Sequence, residues 1–326
     1  MTKTVLYPLH FTPLLKSVIW GGDKLAPFKG IVSDRRDIGE SWEVSGVPGR
    51  ESVVDRGDLA GRSLGDLCQM FGSELLGERV VNRYGSRFPL LVKLICTSED
   101  LSIQVHPDDL TAATEFDSLG KTELWYIIKA EEGARIISGV NRDITPSEFD
   151  QAVAEGNVIT LLETHESRPG DVFLVPAGRI HAIGRGNLLL EIQEASDLTF
   201  RIDDYGRTEA DGRRRPLHLE HARRVIDYKY YGGSRLAAPA PVAGSMLLAG
   251  CEHFKTLRLI TTATRRWALP LSRGSFAIAT CVEGNVTLSG DDFDDIALPA
   301  GDSILVPAAI RKATATGDAT LIITTC

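Results

Sequence analysis

A short motif that occurs twice constrains the fold more than any other feature of this 326-residue chain. Residues 170–182 read GDVFLVPAGRIHA and residues 301–313 read GDSILVPAAIRKA, so six residue types recur at matching places. A second pair precedes the two copies in the same order: EEGARIISG ends at Gly139, and VEGNVTLSG ends at Gly290. Two pairs in one order indicate the duplication of a β-rich unit.

The two copies differ at a position that bears on function. His181 of the first copy stands opposite Lys312 of the second. An imidazole can bind a metal, whereas a protonated lysine cannot. We therefore expect the chemistry in the first unit and a structural role for the second. The Pro- and Ala-rich run at 237–244 is a candidate linker, and it predicts domains at 1–240 and 241–326.

Composition narrows the classes of partner and compartment. Thirty-one Gly, fifteen Pro and only 7% aromatic residues are typical of short strands joined by many turns. With 44 acidic and 36 basic residues the net charge is −8, so we expect no nucleic acid and no membrane as partner. Five scattered cysteines without a C-x-x-C pair, and no apolar run long enough for a membrane span, predict a cytoplasmic protein.

Hydrophobic patterning predicts short strands with a few helices between them. We expect strands in 38–46, in the nearly continuous apolar run 88–96, and in five further runs of the first unit: LSIQVH, ELWYIIKA, ARIISGV, DVFLVPA and NLLLEIQEA. We expect helices at 63–82 after a Ser cap, at 108–116, at 146–155 and after the loop 211–216. The three arginines of that loop are interpreted as a solvated turn.

Residues 101–106 concentrate polar groups on one face of a predicted strand, because successive side chains of a strand point to opposite faces. The polar positions are Ser102, Gln104 and His106, and the apolar positions opposite are Leu101, Ile103 and Val105. Glu123 opens the next strand, and His181 follows another. One amide, two imidazoles and one carboxylate suit Zn²⁺ with an open position, although Fe²⁺, Mn²⁺, Co²⁺ or Ni²⁺ would also be tolerated.

A lone histidine in a strand-rich protein is more often structural than a ligand. His106 and His181 stand out because each lies at a strand end beside a turn; the other five, interpreted as structural or surface residues, are His10, His165, His218, His221 and His253. Both candidate ligands must be neutral to bind a metal, so metal affinity is expected to fall as the pH drops through about 6.5.

Charged residues also interrupt strands that are otherwise apolar. Lys93 lies within FPLLVKLIC, Glu191 and Gln193 share a face of LLLEIQEAS, and Arg201 lies between Phe200 and Ile202. Buried charges are costly unless they are paired or functional, so several of them in one barrel interior predict a polar, charged ligand. The alternative is that these are edge strands whose charges reach outward to solvent.

Several motifs together resemble the type I phosphomannose isomerases in their short bacterial form. They are Trp20-Gly21-Gly22, 38–43 (IGESWE), 101–109 (LSIQVHPDD), 120–123 (GKTE), 175–178 (VPAG) leading to His181, and 197–207 (DLTFRIDDYGR), and they cover roughly residues 8 to 210. The chain departs from the commonest pattern at Thr122, where proline is frequent, and at 202–204. Neither departure touches a candidate ligand.

The resemblance implies a mainly β chain with some helices, built as a tandem cupin of two jelly-roll (double-stranded β-helix) barrels. It implies a catalytic N-terminal barrel with one Zn²⁺ per chain and a degenerate C-terminal barrel without metal ligands. The site residues that it implies are metal ligands at Gln104, His106, Glu123 and His181, catalytic residues at Arg201, Lys121, Glu191 and Lys93, and substrate contacts at Ser102, Lys93 and Arg201.

The activity implied by the resemblance is the interconversion of mannose 6-phosphate and fructose 6-phosphate through an enediol. The expected partner is therefore a small-molecule hexose phosphate, bound by a monomer or a homodimer. Two alternatives remain open: another metal-dependent cupin enzyme such as an Fe²⁺ dioxygenase, and a non-catalytic cupin that binds sugar phosphates. Gln104 as a ligand and the number of lysines and arginines favour the isomerase.

Overall fold

The structure is a computed structural model that describes residues 5–209, 211–236 and 242–326. Strands account for 39% of the described residues and helices for 16%, which confirms the prediction of a mainly β protein. The strands are β1 (Leu9–His10), β2 (Leu14–Gly22), β3 (Ile38–Ser45), β4 (Leu90–Cys96), β5 (Ile103–Val105), β6 (Glu123–Ala130), β7 (Arg135–Val140), β8 (Leu162–Glu166), β9 (Val172–Val175), β10 (His181–Ile183), β11 (Asn187–Glu194), β12 (Phe200–Asp203), β13 (Arg235–Leu236), β14 (Gly244–Gly250), β15 (Lys255–Thr261), β16 (Trp267–Ala268), β17 (Ala277–Ser289), β18 (Ile296–Pro299), β19 (Ser303–Val306), β20 (Thr314–Thr316) and β21 (Ala319–Thr325). The α-helices are α1 (Leu25–Phe28), α2 (Leu64–Phe71), α3 (Ser73–Leu76), α4 (Glu78–Tyr84), α5 (Asp109–Phe116), α6 (Pro146–Ala154) and α7 (Leu219–Val225), and Val158–Leu161 forms a 3₁₀ turn.

The predicted helices begin where their caps place them. Ser63 accepts a hydrogen bond from the Asp66 N–H at the start of α2, and α5 and α6 confirm two further predictions. The predicted helix 63–82 is instead three short helices, α2 to α4. Gly72 and Gly77 interrupt it with φ angles of 46° and 90°, a region that glycine adopts without steric cost.

Two sheets enclose the interior of the N-terminal unit. The seven-stranded sheet has the order β13-β9-β6-β11-β4-β3-β2, and the five-stranded sheet has the order β12-β5-β10-β7-β8. An apolar cluster joins them: Trp125 and Ile127 of the larger sheet pack with Ile136 and Ile183 of the smaller one. Any polar side chain that points inward from either sheet is therefore enclosed between the two.

The seven-stranded sheet is covered on both faces. Every residue of β4 and β11 is buried, which explains why the run 88–96 reads as continuously apolar. The outer face packs against helix residues such as Leu64 and Leu75, and against Phe276 next to β17. The charges on these two strands therefore do not reach outward to solvent, and the edge-strand alternative for Lys93 is wrong.

The C-terminal region forms a nine-stranded sheet around an apolar interior of its own. Its strand β19 carries the second copy of the repeated motif, as β9 carries the first, and Lys312 lies exposed beyond it. Strand β1 joins this sheet by pairing antiparallel with β19. Of the predicted linker at 237–244, the structure describes only the last three residues: 242 and 243 precede β14, and Gly244 begins it. The boundary at 240 and 241 lies outside the described residues, so the domain division stays a prediction.

Candidate active site and metal centre

Four side chains from the two facing sheets converge on one point. Gln104 and His181 are paired across β5 and β10, His106 follows β5, and Glu123 begins β6 in the opposite sheet. His106 Nε2 lies 3.1 Å from His181 Nε2 and 3.3 Å from Glu123 Oε1, and His181 Nε2 lies 3.6 Å from Glu123 Oε2. The Gln104 amide nitrogen lies 3.2 Å from His181 Nε2. The four residues predicted as metal ligands are thus brought together.

Several buried polar atoms of this cluster have no hydrogen-bond partner. His181 donates its Nδ1–H to the Arg179 carbonyl at 2.8 Å, so its Nε2 points a lone pair into the cluster. Both oxygens of the fully buried Glu123 are without a hydrogen bond, and so is Nδ1 of His106. Buried acceptors that face one another are unfavourable unless a cation lies among them. The donor set, two imidazoles and a carboxylate, therefore fits a metal ion such as Zn²⁺.

Lys121 adds a positive charge at the edge of the cluster. Its Nζ lies 3.1 Å from Glu123 Oε1 and 3.2 Å from His106 Nε2, and its side chain is buried. Although burial alone would raise the pKa of Glu123, Lys121 and His106 hold that pKa well below its usual range. Glu123 is therefore a carboxylate, the form that a metal ion requires.

The two imidazoles are held in the neutral form. Burial, with Lys121 beside it, lowers the pKa of His106 to about 3, and burial also lowers the pKa of His181. Lowered pKa values move proton competition for these nitrogens to a lower pH, so metal affinity is expected to fall below pH 6.5 rather than at it. The sequence could not predict these lowered pKa values, because they depend on how completely the folded chain excludes water from the two imidazoles.

A cavity of about 330 Å³ opens beside the cluster. It brings together six of the predicted site residues, namely Lys93, Ser102, Gln104, Lys121, Glu191 and Arg201. Leu101 also lines it, so the prediction that this residue faces away with Ile103 and Val105 is wrong, because β5 begins only at Ile103. Four basic and three acidic side chains line the wall, and this small excess of positive charge suits an anionic ligand.

Glu191 and Lys93 form one wall of the cavity. They are paired across β11 and β4, and Lys93 Nζ donates to Glu191 Oε1 at 2.8 Å. Trp125 donates its indole N–H to the other oxygen, also at 2.8 Å. Burial and Glu123 raise the pKa of Glu191, and Lys93 opposes this. Although burial would lower the pKa of Lys93, Glu191 and Glu40 raise it, so Lys93 is a cation.

Arg201 lies opposite that wall, in the five-stranded sheet. It pairs with Gln104 across β12 and β5, so Arg201, Gln104 and His181 follow one another across three neighbouring strands. Its guanidinium donates to the Pro216 carbonyl at 2.8 Å, and its Nε is buried without a hydrogen bond. Burial and the nearby Arg215 lower the pKa of Arg201. A guanidinium at the cavity wall that keeps an unpaired Nε–H is well placed to bind an anionic oxygen.

Sequence reasoning missed several residues that line the cavity, among them Trp20, Glu40, Asp197, Thr199 and Arg215. Arg215 belongs to the loop interpreted as a solvated turn, and for this residue that interpretation is wrong. Its Nε donates to Asp204 Oδ2 at 2.8 Å, which holds the guanidinium at the cavity. Asp204, within the motif 197–207, is the sequence signal that could have indicated this contact, because a buried carboxylate requires a partner.

The described residues contain one further group that could hold a metal ion, formed by Asp109, Glu194 and His253. His253 is buried, in keeping with the structural role expected for it. Its ring reaches from the loop between β14 and β15 toward the segment that carries Lys121.

None of the helices in the described part of the chain is long and apolar enough to cross a bilayer.

The fold and the site define the class of protein as a cupin-type β protein with a buried His–Glu cluster beneath a cationic cavity. Residues 9–119 match the model of the type I phosphomannose isomerase catalytic domain. The chain is 33% identical to a mannose-6-phosphate isomerase of Streptococcus mutans, over 97% of each chain. It is 42% identical to a mannose-6-phosphate isomerase of Bacillus subtilis, over 68% of each chain.

The solved structures agree with these relatives. The crystal structure of a mannose 6-phosphate isomerase from Bacillus subtilis superposes with a TM-score of 0.85 and 31% sequence identity, covering 97% of this chain and 99% of that one. The chain therefore belongs to the type I phosphomannose isomerase family. This confirms the resemblance found in the sequence, together with the cupin-type fold that it implied. The family is metal-dependent, and the His106–Glu123–His181 group is where a metal ion fits.

Proposed function

We propose that the chain interconverts mannose 6-phosphate and fructose 6-phosphate with one Zn²⁺ per chain. The observation that carries the proposal is the position of the His106–Glu123–His181 cluster, which lies directly beside a cavity lined by four basic side chains. The family relationship supports the same reaction. An aldose–ketose isomerase must hold a sugar oxygen near positive charge while a proton moves between neighbouring carbons.

The proposed zinc ligands are His106 and His181 through Nε2, Glu123 through its carboxylate, and Gln104. The Gln104 amide nitrogen faces the cluster, and a half-turn of the amide would bring its carbonyl oxygen to the same place. When bound, Zn²⁺ supplies a Lewis acid that polarises sugar oxygens. Glu123 would neutralise part of the charge of the ion, the two neutral imidazoles would donate lone pairs to it, and Lys121 keeps the carboxylate ionised.

Lys121 and Arg201 are proposed to stabilise the negative charge that develops on the two reacting oxygens. Both reach the cavity, Lys121 from beside Glu123 and Arg201 from the row that contains Gln104. Fixed cations in a site that excludes water stabilise such charge more strongly than solvent does. A proton can then leave one carbon while the enediol is held in place.

Glu191 is proposed to carry the proton between the two carbons. Its raised pKa brings the carboxyl closer to neutral pH, where it can both accept and return a proton. Lys93 and Trp125 fix its orientation through hydrogen bonds of 2.8 Å each. Lys93, Ser102 and Arg201 are proposed to contact the substrate, with Lys93 and Ser102 toward its anionic end. The cavity volume of about 330 Å³ is in the range expected for a small ligand.

We also propose that the C-terminal unit, predicted as 241–326, has no metal ligands and serves the stability of the first. Its interior is packed with apolar side chains. The chain is proposed to work in the cytoplasm as a monomer or homodimer. In support, all five cysteines are free.

The test is a coupled assay for fructose 6-phosphate formed from mannose 6-phosphate. It is run on the enzyme as purified, after removal of metal by a chelator, and after zinc is restored, with metal content measured each time. We expect activity to disappear on chelation and to return with zinc. A folded, zinc-loaded protein without turnover would contradict the proposal and favour a sugar-phosphate-binding protein. Full activity after complete metal removal would contradict the role of the metal.

A further inference from the structure

The backbone that carries Lys121 is held by hydrogen bonds on both sides. The Gly120 N–H donates to Asp109 Oδ1 at 2.9 Å, and the Thr122 N–H donates to Glu194 Oε1 at 2.9 Å. The Lys121 N–H donates to the Pro107 carbonyl at 3.1 Å. Two carboxylates from different elements, α5 and β11, thus bracket the lysine. Each of the three successive N–H groups has its own acceptor.

The same segment lies flush against the start of α5. A Cβ atom added at Gly120 would lie 2.6 Å from the Asp109 nitrogen, closer than real Cβ contacts permit. Only glycine at position 120 therefore allows the backbone to lie this close to the helix. The position of Lys121 is therefore set by backbone contacts, and a displacement of the order of 1 Å at a reacting group can cost about 100-fold in rate.

A histidine from a loop of the nine-stranded sheet lies close to both carboxylates. His253 lies in the loop between β14 and β15, and its Nδ1 is 3.2 Å from Glu194 Oε2 and 3.8 Å from Asp109 Oδ2. Arg83 of α4 donates to the same nitrogen at 3.3 Å. His253 and Glu194 are both buried. His253 therefore connects the C-terminal region to Glu194, the residue that accepts the Thr122 N–H.

The contacts of Asp109, Glu194 and His253 fit a group of residues that holds the backbone at 120–122 in place, called the clamp below, better than a second metal site. Arg83 places a guanidinium at His253 Nδ1, where a metal ion would have to bind. Both carboxylates already accept backbone N–H groups. Burial, with Asp109 nearby, raises the pKa of Glu194 to about 8. A neutral carboxyl is a weak ligand for a cation, but it still accepts the Thr122 N–H through its carbonyl oxygen.

We propose that Glu194 and Asp109 are positioning residues that hold Lys121 and Glu123 in place, and that His253 makes the C-terminal sheet part of this clamp. The inference rests on the proposed function, because it assigns the clamp to the reaction in which Lys121 takes part. It adds a role for three residues that touch neither the cavity nor the predicted metal ligands.

The first test compares Glu194→Leu with Glu194→Gln. Leucine removes the acceptor for Thr122, whereas the glutamine amide keeps a carbonyl oxygen there and places its NH₂ against His253. We expect kcat of Glu194→Leu to fall about 10- to 100-fold with zinc saturating and KM changed much less. Glu194→Gln should stay within about threefold of wild type. Asp109→Leu and Asp109→Asn form a second pair, useful if Glu194→Leu does not fold, because Asp109 is half-exposed.

The second test asks whether the C-terminal sheet contributes. His253→Leu should lower kcat, and His253→Asn, which can restore an acceptor near Nδ1, should recover part of the loss. His10→Leu is the matched control. His10 also links the N-terminal part of the chain to an acid of the C-terminal sheet, Asp302 at 3.6 Å, and it makes no contact with residues 120–122. His10→Leu should therefore leave kcat unchanged at equal stability.

Hydrogen exchange of peptides covering 118–124 gives a readout that needs no turnover. Exchange should become faster in Glu194→Leu and stay as in wild type in Glu194→Gln. Unchanged kcat and unchanged exchange in folded Glu194→Leu would overturn the clamp, and so would a Glu194→Gln variant as impaired as Glu194→Leu. Loss of one equivalent of metal in Glu194→Gln would reveal a second cation site instead. An inactive wild type would refute the proposed function alone, since the exchange measurement still decides the clamp.

Discussion

Lys93 and Glu191 form a buried ion pair of 2.8 Å across two central strands, and each side chain is only 5% exposed. Lys93→Met would leave the Glu191 carboxylate without its partner. Breaking such a pair costs about 3–5 kcal/mol in the free energy of unfolding. Loss of a hydrogen bond to a charged group should also lower kcat/KM at least about tenfold. Urea unfolding and the isomerase assay measure the two effects.

A second buried pair of the same kind provides the control for Lys93→Met. Lys29 Nζ lies 2.9 Å from Glu43 Oε2, with 2% and 5% exposure, and neither residue lines the cavity. Lys29→Met should therefore destabilise the protein by a similar amount and leave kcat/KM of the folded enzyme unchanged. Equal losses of activity in the two variants would show that Lys93 acts only through stability.

Arg201→Met should lower kcat by about 100- to 1000-fold, because it removes a fixed donor from the wall where charge develops. Zinc content should remain that of wild type, since Arg201 is not among the converging ligands. Arg235→Met is the control. Arg235 is also a half-buried arginine, paired with Asp171 at 3.2 Å, and it lies outside the cavity. Near-normal turnover of Arg201→Met with zinc bound would remove this residue from the mechanism.

His181→Ala should weaken zinc binding by at least about 100-fold, since changes to groups that merely support a ligand already cost 10- to 100-fold. His165→Ala is its partner experiment, because His165 lies on β8 of the same five-stranded sheet and contacts Ser234 at 3.0 Å. Metal content after dialysis against a weak chelator distinguishes the two. A His181→Ala protein that retains one zinc per chain would contradict the proposed ligand set.

Local patterns predicted the parts of the fold that local forces determine. The alternation of residues 101–106 predicted that Ser102, Gln104 and His106 face the site, although Leu101 also lines the cavity, and the repeat singled out His181. The Ser cap of α2 was predicted because a side chain and a nearby N–H decide it. The single predicted helix 63–82 failed because two glycines with positive φ interrupt it, which its apolar spacing does not reveal.

Contacts between distant residues could not be predicted in the same way. Arg215 reaches the cavity only because Asp204 holds it, and His253 reaches Glu194 only because a C-terminal loop packs there. Neither contact has a signature in sequence spacing. The lowered pKa of His106 likewise depends on complete burial and on Lys121 at 3.2 Å. Residue types therefore indicated which groups could form the site, whereas the pKa values of those groups depend on the folded structure.

Glu194 makes the stability of the protein depend on pH in a direction opposite to that of an ordinary paired carboxylate. Its pKa is raised from 4.5 to about 8, first by burial and further by Asp109, while the Thr122 N–H opposes the shift. Between these two pH values the folded chain keeps a proton that the unfolded chain has lost. The free energy of unfolding should therefore fall as the pH rises from about 4.5 to 8, by up to about 1.4 kcal/mol per pH unit.

Comparison with Glu194→Gln isolates this contribution, because glutamine cannot titrate and other groups cancel in the difference. The groups that face Glu194 are Asp109 and His253, with Arg83 behind the histidine, and all three remain in the variant. Urea unfolding of both proteins at pH 5, 6, 7 and 8 should show wild type losing stability relative to the variant as the pH rises. A constant or opposite difference would show that Glu194 is ionised in the folded protein. The neutral carboxyl described for the clamp would then be wrong, although its hydrogen bond to Thr122 would remain.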